Sequence, residues 1–103
     1  MENVFGLAEQ DLAYIVEVIG EFPEIRKAAV FGSRAKGTFK KGSDIDIAIF
    51  GEEISFTTIA SLHDRLEEQS PMPYFFDIVD YTHSTHQELK QHIDRVGKII
   101  VER

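Results

Sequence analysis

Residues 44–50 read Asp-Ile-Asp-Ile-Ala-Ile-Phe. A strict alternation with a period of two fits a strand and does not fit a helix. It places Ile45, Ile47 and Ile49 on one face and Asp44, Asp46 and Ala48 on the other. The isoleucine face has to be buried, so the register is set, and both carboxylates project together at the start of the opposite face. Two hard oxygen donors side by side suit Mg2+, which takes one or two carboxylates plus phosphate oxygens.

The segment just upstream supplies the matching half of such a site. Arg26–Phe31 has the apolar core of a short strand, and Gly32-Ser33 follows it directly. Glycine has no Cβ, so its backbone can approach a ligand closely. Ser33 offers a hydroxyl at the start of one or two helical turns expected over 33–38, where N–H groups attract anions. Gly37 and Gly42 then mark turns back to the Asp-x-Asp strand. Within fifteen residues the chain thus pairs a phosphate cradle with a cation site. This predicts binding of a metal–nucleoside triphosphate.

The positive charge is concentrated here as well. Arg34, Lys36, Lys40 and Lys41 lie between the two halves of the site, in a chain whose formal net charge is −7. Such a run is ordinarily a solvated loop, but its position predicts a phosphate-facing role for at least one member. Arg34, next to Ser33, is the best placed. The overall acidity argues against broad nucleic-acid binding, which leaves a basic footprint.

The other elements follow from periodicity and breakers. Leu12, Ile15, Val16, Ile19 and Phe22 give a helix over 7–22, ended by Pro23. Ile59, Leu62 and Leu66 give a second over 56–69, with Thr57 or Thr58 as its cap. Pro71 and Pro73 bound a loop. Tyr74–Asp80 is aromatic and β-branched, hence a strand. Ser84–Val96 forms the last helix, with Thr85 and Glu88 as a capping box and Gly97 at or near its end. The tail from Lys98 to Arg103 has no firm pattern. The order αβαβαβα predicts a two-layer α+β domain over 1–103, with helices covering one sheet face and carboxylates on the other.

Two metals in a nucleotidyl-transfer site ordinarily require a third carboxylate. Asp77 and Asp80 are the candidates, and they face opposite sides of a regular strand. Asp77 stands in an apolar run, where an unpaired charge is costly and a metal would offset that cost. Asp80 sits at the strand end, where solvent or a turn accounts for it. Asp77 is therefore the expected third ligand. His63, His83, His86 and His92 have polar flanks and read as surface residues. Ser43 turns the chain into the strand, and Tyr14, Tyr74 and Tyr81 read as packing groups. There is no cysteine, which excludes disulfides and thiolate metal sites. No apolar run reaches the ~18 residues of a membrane span, and no basic-then-apolar leader is visible, so a soluble cytoplasmic protein is expected.

Gly32-Ser33, ten intervening residues, and Asp44-Ile-Asp46 resemble the signature of the minimal nucleotidyltransferases of the DNA polymerase β-like superfamily. The likeness extends to the element order and to a third Asp on the next strand. It implies the nucleotidyltransferase fold with a mixed sheet. It implies that Gly32, Ser33 and Arg34 hold nucleotide phosphates and that Asp44, Asp46 and Asp77 bind Mg2+, with Asp77 helping to activate the attacking hydroxyl. Short members of this kind are typically paired with a helical HEPN-domain toxin. They neutralise it by moving AMP from ATP to a toxin tyrosine, which implies a hetero-oligomeric antitoxin. Two other readings stand beside this one. One is a non-catalytic antitoxin that blocks its partner by contact; the other is a nucleotidyltransferase for a small molecule or an RNA end.

Overall fold

The computed structural model describes residues 3–40, 42–70 and 72–103. Lys41, one of the four basic candidates, and Pro71, the expected loop boundary, lie outside the described residues. The elements are α1 (Glu9–Gly20), β1 (Lys27–Phe31), α2 (Gly32–Lys36), β2 (Ile45–Phe50), α3 (Phe56–Glu67), β3 (Phe76–Asp80), α4 (Gln87–Val96) and β4 (Lys98–Glu102). The sheet order is β3-β2-β1-β4. β2 runs parallel to β3 and antiparallel to β1, and β4 runs antiparallel to β1. The sheet is mixed and the class α+β, as expected. The tail left unassigned in the sequence is the fourth strand, which pairs with β1 across a bulge between Ala28 and Ala29.

The alternation in β2 decides which face is the main core. Ile45, Ile47 and Ile49 are fully buried with Ala28 and Val30 of β1 and Phe76 of β3. Ile15, Val18 and Ile19 of α1 and Leu62 and Leu66 of α3 close over them. Each fully buried branched side chain contributes about 1.5–3 kcal/mol relative to leaving it exposed.

The second face differs from the bare surface expected there. Ile93 of α4, with Leu89 and Val96 beside it, packs on Phe31 and Ala48, and Phe50 and Val79 adjoin them. The apolar stripe of α4 needs a cover, and the second face has apolar residues beyond the acidic end of β2. Helices therefore lie on both faces, and the acidic end is left open.

The helix caps also correct the sequence reading. Ser55, ahead of the two threonines, caps α3: its hydroxyl accepts from Thr58 N, and Thr58 Oγ1 accepts from Ser55 N. At α4 the cap is His86, whose Nδ1 accepts from Leu89 N at 3.0 Å, in place of Thr85. α1 has no basic residue in its last turn. Arg103 compensates by donating to the carbonyls of Ile19 and Phe22, which favours a C-terminal helix end. No helix among the described residues is long and apolar enough to cross a membrane.

Leu62 is fully buried between α3 and the sheet. Leu62→Ala is expected to lower stability by about 2–5 kcal/mol, read as a drop in the urea midpoint at unchanged slope.

Candidate active site

The register of the sheet brings the acidic residues into one row. Asp46 pairs with Asp77 across the parallel β2–β3 ladder, and Asp46 pairs with Phe31 across β1–β2. Cross-strand partners share a face, so Asp77, Asp46 and Phe31 stand in line on the second face, with Asp44 two residues before Asp46. Asp44 and Asp77 are exposed and Asp46 is half-buried.

This geometry acts on Asp46 most strongly. Partial burial, then the charge of Asp77, then that of Asp44, push its carboxyl up from 3.8 to about 6. Like charges gathered at one point disfavour ionisation, and a cation would relieve them. Among the described residues, no three His, Asp or Glu side chains are already drawn closely enough together to enclose a metal ion. The chemistry of the donor set nonetheless fits one: three hard carboxylates, two of them in direct register, at the open end of the sheet.

Gly32 forms the other wall. Its φ is +70°, and a Cβ placed there would lie 2.1 Å from Asp46 Oδ2. The glycine is thus needed for two reasons: its backbone conformation, and a carboxylate packed against its α-carbon. Ser33 follows in the first turn of α2, half-exposed.

Arg34 has a different place from the phosphate-facing one expected. It is 2% exposed. Its guanidinium donates to the carbonyls of Ser43, at 2.9 and 3.1 Å, and of Phe5, at 2.9 Å. A longer bond of 3.4 Å reaches Gly6 O, and the rings of Phe39 and Tyr74 flank the group. These contacts tie the N-terminal segment and Ser43 to α2, so Arg34 braces the backbone immediately before Asp44. Lys36 and Lys40 are exposed. Ser43 turns the chain as expected, its Oγ accepting from Lys40 N at 2.8 Å.

Asp80 faces away from the row and is occupied by His83, whose backbone N–H and ring nitrogen both meet its carboxylate. That contact holds the His83 imidazole above its ordinary value. His63 pairs with Glu67 at 2.8 Å. His92 stands edge-on to Phe31, with ring centroids 6.1 Å apart. Tyr81 donates to Asp94.

A glycine-started turn, a serine and three carboxylates gathered at one end of the sheet are the kinds of group that nucleotidyl transfer calls on. The chain matches the Polymerase beta, Nucleotidyltransferase family over residues 13–103 and belongs to that family. It is 31% identical over 101 residues to the probable protein adenylyltransferase MntA of Haemophilus influenzae, covering 94% of this chain and 84% of that protein. Two solved structures share the fold. One is a toxin–antitoxin complex with AMP-PNP, at TM-score 0.72 and 24% identity, over 94% of this chain and 75% of that one. The other is the tri-AMPylated Shewanella oneidensis HEPN toxin in complex with MNT antitoxin, at TM-score 0.70 and 21% identity, over 92% and 72%.

Two outcomes follow from the packing of Gly32 on Asp46. Gly32→Ala is expected to cost at least about 1–2 kcal/mol from the left-handed backbone alone, and to displace the Asp46 carboxylate. Thermal melts of the variant measure the first effect. Asp46 itself gives a pH signature. Its carboxyl titrates near 6 when folded and near 3.8 when unfolded, so the folded state holds a proton that the unfolded state has released. Stability then falls as pH rises through that window. In EDTA, Asp46→Asn is expected to melt above the parent at about pH 7, and the advantage is expected to vanish below about pH 4.

Proposed function

We propose that this protein is an Mg2+-dependent adenylyltransferase that moves AMP from ATP to a hydroxyl, a tyrosine in the leading case, of a HEPN-domain toxin partner. It thereby serves as the antitoxin of a two-protein cytoplasmic module. Residues 1–103 act as one minimal nucleotidyltransferase domain. The carrying observation is the register pair Asp46–Asp77 with Asp44 beside it and Gly32 pressed on Asp46. The name of the Haemophilus relative and the AMPylated toxin bound to an MNT antitoxin support the choice of nucleotide and partner.

In this reading, Gly32 and Ser33 hold the β- and γ-phosphates. Asp44, Asp46 and Asp77 would hold Mg2+, which supplies charge neutralisation along the triphosphate and at the attacking oxygen. Asp77 lies on the outer strand and takes the proton from the acceptor hydroxyl. The hydroxyl oxygen bonds to the α-phosphorus, the bond to the bridging oxygen breaks, and pyrophosphate leaves. The protein's contribution is positioning and preorganised charge, which govern reactions of this class. Arg34 contributes indirectly, by bracing the backbone immediately before Asp44.

The test is mass spectrometry of the HEPN partner after incubation with ATP and Mg2+. A gain of one or more AMP groups is expected. Asp44→Asn with Asp46→Asn is expected to reduce the rate by about 10²–10³-fold or more while leaving the fold intact by circular dichroism. Unchanged transfer by that double variant would refute the assignment. Full neutralisation of the toxin by it would favour inhibition by contact.

A further inference from the structure

Phosphoryl and nucleotidyl displacements run in line, with the attacking oxygen opposite the leaving group. The strand order β3-β2-β1-β4 turns that requirement into a direction. The phosphate cradle, Gly32 and Ser33, follows β1 on one side of Asp46, and Asp77 lies on β3 on the other side. If pyrophosphate departs toward α2, the acceptor arrives over β3. β3 is an edge strand, so its outer side is open to a second molecule.

One side chain marks that approach. Phe76 turns into the core, while Phe75 beside it is 71% exposed. Phe75 O accepts from Ile45 N at 3.0 Å, which fixes its backbone against the start of β2 next to Asp44. Alternation places Phe75 on the side of Asp77, two residues away. Phe75 also lines a cleft of about 280 Å³, together with Glu67, Glu68, Met72, Pro73 and Tyr74. Tyr74 is engaged with Arg34. Phe76 N is held by the Glu67 carboxylate at 2.7 Å. That contact occupies the first outward-facing N–H of the strand edge.

We propose that Phe75 is the docking residue for the acceptor, and that its occupant is a polypeptide segment presenting an aromatic hydroxyl with a basic neighbour. The ring supplies an apolar platform on which a tyrosine packs face-offset or edge-on. Glu68, exposed and lining the same cleft, favours a cationic residue beside that tyrosine. This assignment rests on the adenylyl-transfer reading and adds its acceptor specificity. The chemistry is the transfer described above. The tyrosine oxygen bonds to the α-phosphorus, the bond to pyrophosphate breaks, and the phenolic proton passes to Asp77.

Steady-state kinetics with the HEPN-domain protein as acceptor test this, varying acceptor and ATP separately. Phe75→Ala is expected to raise KM for the acceptor at least tenfold, with KM for ATP within twofold. Phe75→Tyr is expected to restore the parent value. Phe56→Ala, at another exposed ring (83%) on α3, is expected to change neither. An unchanged acceptor KM in Phe75→Ala overturns the assignment. A raised KM for ATP also overturns it, placing the ring against the nucleobase. Absence of AMP transfer by the parent protein removes the functional reading and this assignment together, and is distinguished from the other outcomes because it precedes any variant.

Discussion

The burial of Ile45, Ile47 and Ile49 is the constraint on which the rest of the molecule depends. Three branched side chains on one face of a six-residue strand leave that strand a single register, because a one-residue slip would expose all of them and bury both aspartates. The proposed chemistry rests on the face that remains. Asp44 and Asp46 are held outward by the packing of their neighbours, with no need for a specific contact of their own. The parallel ladder to β3 then places Asp77 beside Asp46.

A concentrated negative charge has a cost, and the fold confines it. Two exposed carboxylates flank one that is half-buried, and the buried one takes the strain as a carboxyl pushed up to about 6. α4 covers the apolar middle of the second face, and the acidic end stays open. Gly32 is the point where the cradle meets the carboxylates, since any side chain there would collide with Asp46. The same elements therefore satisfy packing and prepare a site that favours cations.

Much of this was legible in the sequence because it rests on local periodicity. The β2 register and the Gly-Ser turn follow from short patterns; Asp77 shares the face of Asp46 as expected, but it is exposed, so the burial cost that singled it out in the sequence does not apply. What escaped depends on contacts distant in the chain. Lys98–Glu102 becomes a strand only because β1 offers an edge some seventy residues earlier. The stripe of α4 announces burial but does not say against which face. Arg34 looked free because its four hydrogen bonds go to the carbonyls of Phe5, Gly6 and Ser43, brought in by the fold. The caps at Ser55 and His86 were missed because neighbouring threonines carry the same signal.

The most direct test of the account is a crystal structure with Mn2+ and a non-hydrolysable ATP analogue, the metal located by its anomalous scattering. The account predicts manganese at the Asp44, Asp46 and Asp77 carboxylates, with the β- and γ-phosphates against Gly32 and Ser33. Manganese bound elsewhere, or a triphosphate lying away from the Gly32–Ser33 turn, would contradict it.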